Sequence, residues 1–562
     1  MHRGDHILRR VSAPRLVLIV SLASYLLLSL ERLGRFPPVS QDEPWIAAAP
    51  YKLATEGVYG SDLFAGYYGM DRHNYEHMPV FPLMEAGVFR LSGVSRSEDG
   101  MRRSVVVPMR LLSVACGFAL LLCVFAVASQ VGGEWAGALS VVLMTLLRVS
   151  SSTSSGSGIL LLDSARINRY DIAAPVFALI ALWSLIGAER GEAHQGRGRN
   201  WKYGVAGAFV GLASLAHLFG GFWLPVFFGI VVARGRGSAS SLMSSGFLVL
   251  GFTLAWLPWL AYVSRDWADF VGQTRYMRPR LAVYDLSFLV SNALHGPGPI
   301  SLDWARQAIA RLPLRRVGAW TTIVGVPAAL VAMVRQGFVG GDAASRSHDP
   351  AHIIFPVVTL ALVLMFAALL QVKTIHYMIG IWPLAMVAVA WCGVWLWGLP
   401  GSRRGLVRTV LLVWLALIAA EGSVGIARAR DSAERTSPFD WFESQIAGCI
   451  PEGSLVLGLQ HYWLGLRQYR FRSWLVPIYF ANPQYVDAPV GFDRAIERVD
   501  PDVLLIDRNI RAMFDDGRSS ERQPAHDLTA GFDVYQSRHR VEPICVVRDG
   551  TYGTMEVYHV YR

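Results

Sequence analysis

Eleven long apolar runs divide this chain, separated by polar segments of two different kinds. The runs fall near residues 13–30, 105–129, 135–149, 172–188, 203–217, 219–233, 242–263, 317–335, 353–371, 374–397 and 406–426. A hydrocarbon core about 30 Å thick takes roughly 20 apolar residues as one helix, so these runs predict membrane-spanning helices. The stretch 203–233 is divided at His217-Leu-Phe-Gly-Gly221, because an unbroken helix would be too long and the glycines allow a tight turn.

The intervening polar segments alternate in character. Residues 189–202, 234–241, 335–352 and 400–405 are short and rich in arginine, with Arg190, Arg197, Arg199, Lys202, Arg403 and Arg404 among them. Short basic loops remain on the cytoplasmic side. This parity places the N-terminus inside. It places outside the loop 31–104, the loop 148–171, the His217 turn, the loop 264–316, the turn at Lys373 and everything after about residue 427.

The pattern changes after residue 427. Ser437-Pro438 reads as a helix start, with Ser as cap and Pro at the first helical position. Ser454–Leu459 and Asp502–Asp507 read as short buried strands, with a helix over Gly491–Val499 between them. Asp549-Gly550 reads as a hairpin turn between Ile544–Arg548 and Met555–Tyr561. The chain therefore divides into a transmembrane part, residues 1–429, and a small extracytoplasmic α/β domain, residues 430–562. The fold class is mainly α and polytopic.

Composition agrees. Of 562 residues, 53% are hydrophobic and 17% charged, against roughly 45–50% and 25% in soluble domains. The net charge of +10 does not point to nucleic acid, because much of the arginine lies in the short loops. Arg3, Arg9, Arg10 and Arg15 precede the first run, and no small-residue cleavage site follows it, which reads as an uncleaved signal anchor. Cys116, Cys123 and Cys392 lie in apolar runs. Cys449 and Cys545 lie in the tail, where an extracytoplasmic setting allows a disulfide.

The polar residues assigned to the outer side carry the candidate chemistry. Asp42-Glu43 follows the first run, at the start of a long loop. Asp71, His73, Glu76 and His77 are ligand types suited to a divalent metal, although their spacing matches no specific site. Arg166, Arg169 and Asp171 stand just before a span, and an arginine fork suits a phosphate. Lys373 and His376 head another span. All of these also read as solvated loop ends or as snorkelling anchors at the membrane boundary. His348 and His352 have metal-like spacing, but parity puts them on the cytoplasmic side, away from the rest.

In order along the chain, Asp42-Glu43, His77-Met-Pro-Val-Phe-Pro82, Arg169-Tyr-Asp171 and Lys373-Thr-Ile-His-Tyr377 resemble the motifs of the GT-C integral-membrane glycosyltransferases. The resemblance is to the family 39-like group, which includes protein O-mannosyltransferases and lipid A aminoarabinose transferases. It covers about residues 10–400. The chain departs from that pattern at His77-Met-Pro79, where Lys-Pro-Pro or His-Pro-Pro is common, and at the His217 turn, which often carries Lys.

The resemblance implies an inverting glycosyltransferase of the plasma (inner) membrane. Its donor would be a polyprenyl-phosphate-linked sugar and its acceptor a hydroxyl on a protein, lipid or glycan. Asp42 would be the catalytic base, with Glu43 orienting it or binding acceptor. Arg166, Arg169, Lys373 and His376 would hold the donor phosphate. Asp171, His77, Tyr377 and His217 would bind substrate or support the site. The alternative is a multi-span transporter or flippase of lipid-linked saccharides. Such proteins place charges near mid-span and break helices in matching halves, whereas these charges lie at the outer boundary and no internal repeat is evident.

Overall fold

A computed structural model of the protein describes residues 12–94, 104–149, 156–191, 200–275, 285–296, 300–311, 316–339, 349–371, 373–515 and 525–561. His348 lies outside the described residues. In hydrocarbon every backbone N–H and C=O must be satisfied within its own segment, which for these runs means helix. All eleven apolar runs are helical. Among the described residues, seven helical stretches have the length and composition to cross a membrane: Ala13–Leu30, Val106–Leu146, Tyr170–Arg190, Ala239–Gln273, Val317–Gln336, Ala351–Leu369 and Arg404–Ala447. Leu218–Arg234 and Trp382–Gly398 are apolar but shorter. The protein is a multi-pass membrane protein.

The second and third runs are two helices within Val106–Leu146 that meet at Gly133, whose φ of +82° and ψ of 170° are not helical and cost glycine little. Gly137 comes up against Ser129 and Phe125 across this break, so the two helices double back on one another. Together they are the hub of the bundle. Ala13–Leu30, Ala173–Arg190 and Trp382–Gly398 pack against it. Leu120, Leu121, Val124 and Val127 on the hub meet a common core with Leu179, Leu182 and Val387.

The bundle has two chemically distinct ends. Asp171 lies just before helix Ala173–Arg190 and Arg190 is that helix's last residue, so the two are separated by roughly 28 Å of helix axis. At the Arg190 end, Arg190 pairs with Asp349, Glu189 accepts from Arg234 at 2.9 Å and from Tyr203 at 2.8 Å, and Arg15 meets Glu134 at 2.6 Å. At the Asp171 end lies the loop 31–104, with helices Asp42–Glu56 and Val80–Leu91.

The tail forms a five-stranded sheet: β1 (Leu455–Gly458), β2 (Arg470–Ser473), β3 (Val503–Asp507), β4 (Arg540–Asp549) and β5 (Gly553–Tyr561), in the order β2-β1-β3-β5-β4. β1 runs parallel to β2 and β3, while β5 is antiparallel to β3 and β4. β3 is buried along its whole length, as a central strand covered on both faces should be. Cys449 and Cys545 form a disulfide with their Cα atoms 6.0 Å apart.

Two local readings differ from the structure. The helix expected from Ser437-Pro438 starts at Phe439, with Pro438 in the cap position and no side-chain cap. The Ser437 amide instead donates to the Thr551 hydroxyl at 2.8 Å. β2 was not foreseen, because Arg-Phe-Arg-Ser is short and half charged; pairing with β1 makes it a strand.

The tail does not stand apart from the first outer loop. Tyr51, Phe64, Tyr67 and Phe89 of the loop share one hydrophobic core with Trp463, Tyr479, Leu504 and Val557 of the tail. Tyr51 meets Trp463 edge-on at 5.3 Å, and Phe64 stacks on Tyr479 at 6.2 Å.

Candidate active site

Asp42 opens helix Asp42–Glu56, where the positive end of the helix dipole favours a carboxylate. Half of its side chain is exposed, 52%, and one oxygen accepts from Arg169 Nη1 at 2.8 Å. Arg169 Nε donates to Asp171 Oδ2 at 2.6 Å. The other Asp171 oxygen stands 3.2 Å from His217 Nε2. His217 Nδ1 accepts from the Phe219 amide at 3.2 Å, which leaves Nε2 to carry the proton facing Asp171. The result is a chain of four groups, Asp42, Arg169, Asp171 and His217, running from the surface into the protein.

Aromatic and imidazole rings wall the chain. Tyr170 lies 5.0 Å from His217 and 5.6 Å from His77, and Tyr377 lies 5.6 Å from His217. Burial, helped by His217, pulls His77 down to about 4. His376 is also pulled down by burial, with Arg169 adding to the effect and Asp171 and Asp42 opposing it. Asp171, His217 and Tyr377 line a narrow, mostly apolar crevice with Phe219, Trp223 and Phe366.

Glu43 is enclosed. Arg110 grips it with a bidentate fork, Nε to Oε1 at 2.8 Å and Nη2 to Oε2 at 2.9 Å, and neither side chain has any exposure. The amides of Asn168 and Ser40 donate to the same carboxylate at 2.9 and 3.0 Å. The Asn168 side chain bridges onward to Glu85 at 2.7 Å. Burial drives the Glu85 carboxyl well above its ordinary value, against the Asn168 hydrogen bond and with the Glu43 charge adding to the rise. Of the two roles expected of Glu43, this burial suits orienting Asp42 rather than meeting an acceptor. Glu43 has no surface left for a substrate, and its geometry makes it an anchor for the helix that carries Asp42.

No family model and no curated protein matches this chain by sequence. Solved structures do. ArnT from Cupriavidus metallidurans bound to undecaprenyl phosphate matches with a TM-score of 0.60 at 13% identity, over 97% of this chain and 98% of that one. The archaeal oligosaccharyltransferase AglB from Archaeoglobus fulgidus, in complex with an inhibitory peptide and a dolichol-phosphate, matches with a TM-score of 0.55 at 11% identity, over 97% of this chain and 74% of that one. The chain has a GT-C-like fold.

Within this GT-C-like fold, the remaining candidates separate. Arg166 is spent on backbone, donating to the Glu31 carbonyl at 2.6 Å and the Phe36 carbonyl at 3.1 Å while lying over the Phe36 ring. Lys373 donates to the Asn292 carbonyl at 2.9 Å and its side-chain oxygen at 2.7 Å. The buried Asn292 in turn ties to the Ala368 and Leu370 carbonyls, both at 2.8 Å. Among the described residues, no hydrogen bond or ion pair joins Arg166 or Lys373 to the Asp42 chain. Arg169 and His376 are the two that stand beside Asp42.

The proposed metal ligands also part company. Glu76 accepts from the Trp45 indole at 2.9 Å, the Asp71 carbonyl accepts from Lys52 at 2.8 Å, His73 stacks on Tyr75, and His77 packs between Trp45 and Tyr170. Among the described residues no three His, Cys, Asp or Glu side chains are grouped to hold a metal.

Three site residues went unrecognised in the sequence: Arg110, Asn168 and Glu85. Arg110 did carry a signal, as a lone cation within the run 105–129, where an ionisable group needs a partner. Asn168 and Glu85 carried none.

Proposed function

We propose that this protein is an inverting glycosyltransferase that moves a sugar from a polyprenyl-phosphate donor to an acceptor hydroxyl at the outer face of the membrane. The observation that carries this reading is the half-exposed Asp42 carboxylate, aimed by Arg169. The donor class is supported by the likeness to ArnT bound to undecaprenyl phosphate and to AglB with dolichol-phosphate. The acceptor is a protein, lipid or glycan.

In the reaction, the acceptor oxygen attacks the anomeric carbon from the face opposite the lipid phosphate. The new C–O bond forms as the bond to the phosphate oxygen breaks. The bonding pair leaves with the phosphate, and the hydroxyl proton passes to Asp42. One displacement inverts the anomeric centre. Arg169 holds Asp42 in line, and Asp171 with His217 holds Arg169. In this reading His376 and Arg169 would stabilise the charge that develops on the leaving phosphate.

The orientation is part of the proposal. The basic loops favour a cytoplasmic N-terminus. A disulfide between Cys449 and Cys545 belongs in an oxidising compartment, which favours an extracytoplasmic tail and, in a cell with two envelopes, the inner membrane.

The test is transfer from a set of polyprenyl-phosphate sugars in proteoliposomes, wild type against Asp42→Asn. The wild type is expected to transfer and Asp42→Asn to fail while remaining folded and inserted. Full activity in Asp42→Asn would overturn the reading.

A further inference from the structure

A second cavity lies away from the Asp42 chain, where the first outer loop meets the tail. It encloses about 390 Å³. Helix Asp42–Glu56 contributes Tyr51 and Lys52, and the tail contributes Trp463, Arg467, Tyr469, Arg470 and Arg472. Four cations and one carboxylate, Asp62, line it. Lys52 is ten positions along the helix from Asp42, roughly 15 Å of axis.

Three of these cations, Lys52, Arg467 and Arg472, are tied in place. Lys52 Nζ donates to Asp62 Oδ1 at 2.5 Å and the Asp71 carbonyl at 2.8 Å. Arg472 Nη1 donates to the Asp62 carbonyl at 2.8 Å. The Arg467 guanidinium lies 5.4 Å over the Tyr51 ring. Arg470 is exposed and stands 3.6 Å from Asp502. Burial pulls both Arg467 and Arg472 downward. Four cations against one carboxylate leave the lining with an excess of positive charge, which favours an anion. Fixed guanidinium forks suit a planar carboxylate or a phosphate. Tyr469, partly exposed beside them, suits the apolar C–H face of a pyranose ring.

We propose that this cavity binds an acidic saccharide, a sugar chain carrying carboxylate or phosphate groups, and anchors the acceptor at a distance from the reacting hydroxyl. The anchoring role rests on the glycosyl-transfer reading above. The cavity joins two segments far apart in sequence, so acceptor binding would also brace the tail against the helix that bears Asp42.

Full-length protein in phosphatidylcholine nanodiscs, titrated calorimetrically, tests this. Tetragalacturonate is the acidic probe, maltotetraose the neutral one, and sodium phosphate the bare anion. Tetragalacturonate is expected to bind at least tenfold more tightly than either control. Arg467→Gln and Arg470→Gln should each weaken it tenfold or more. Arg470 is exposed, so its variant remains informative if Arg467→Gln does not fold. Phosphate binding as tight as tetragalacturonate, equal binding of maltotetraose, or unchanged affinity in Arg470→Gln would overturn the site. Asp42→Asn should leave this affinity unchanged. Normal tetragalacturonate binding in a protein that transfers no sugar overturns the glycosyl-transfer reading and leaves the saccharide site standing. Transfer without tetragalacturonate binding does the reverse.

Discussion

Asp42 and Glu43 are consecutive in the first turn of one helix, and they live in different surroundings. Asp42 keeps half its side chain in the open and shares one contact with Arg169. Glu43 has no exposure and receives donors from Arg110, Asn168 and Ser40. A helix turns about 100° per residue, so adjacent side chains face different directions. One faces the site and the other faces the hub of the bundle. A carboxylate that reacts must be able to take a proton and meet a substrate. One that anchors must do neither. The contrast also shows how the reacting group is positioned: the buried ion pair holds the helix, and the helix holds Asp42.

Four predictions test that contrast. The largest effect is expected on turnover. Asp42→Asn should lower transfer by about 100- to 10,000-fold, the range for loss of a general base, measured as kcat in proteoliposomes with saturating donor.

Next is the anchor. Glu43→Ala leaves the Arg110 cation buried without its partner, which should cost about 3–5 kcal/mol of stability. Thermal melting in detergent reads this, with a much smaller loss expected for Glu43→Ala combined with Arg110→Met. A Glu43→Ala protein that melts like the wild type but is inactive would make Glu43 a reacting group and dissolve the contrast.

The third effect is on pH. His77 in the outer loop and His461 in the tail are each drawn by burial from 6.5 to about 4. Between those values the unfolded chain binds protons that the folded one refuses, so stability rises with pH. It is fully present above about 6.5 and falls as the pH drops toward 4, by about 3 kcal/mol for each histidine. Melting temperature across this window should decline, and His77→Phe should flatten part of the slope.

The smallest effect is the stability of Asp42→Asn itself. Its ion pair is half exposed, and Arg169 retains Asp171, so the loss should be below about 1 kcal/mol. The same melting experiment reads it. A large loss here would mean that Asp42 also anchors the helix.

Much of the membrane architecture was legible along the chain. The apolar runs marked the helices, and the arginine-rich loops grouped Asp42, Arg169, Asp171, His217, Lys373 and His376 at one end of the bundle. The three-dimensional roles were less legible. Lys373 and Arg166 have the chemistry of phosphate ligands, but each is committed to backbone carbonyls, and nothing local to their sequence says so. The division between the second and third apolar runs was legible, and the structure puts the break at Gly133.

The sequence by itself determined that this chain crosses a membrane repeatedly as helices and which polar groups share a side. Those properties follow from the length of each apolar run and the need to satisfy the backbone within it, both local. Only the tertiary structure decided which carboxylate stays open, which arginine meets which acid, and that the first outer loop and the tail share one core. The partners concerned are far apart along the chain: Arg110 and Glu43 by 67 positions, Arg169 and Asp42 by 127. Their meeting depends on how the helices pack, which no single segment encodes.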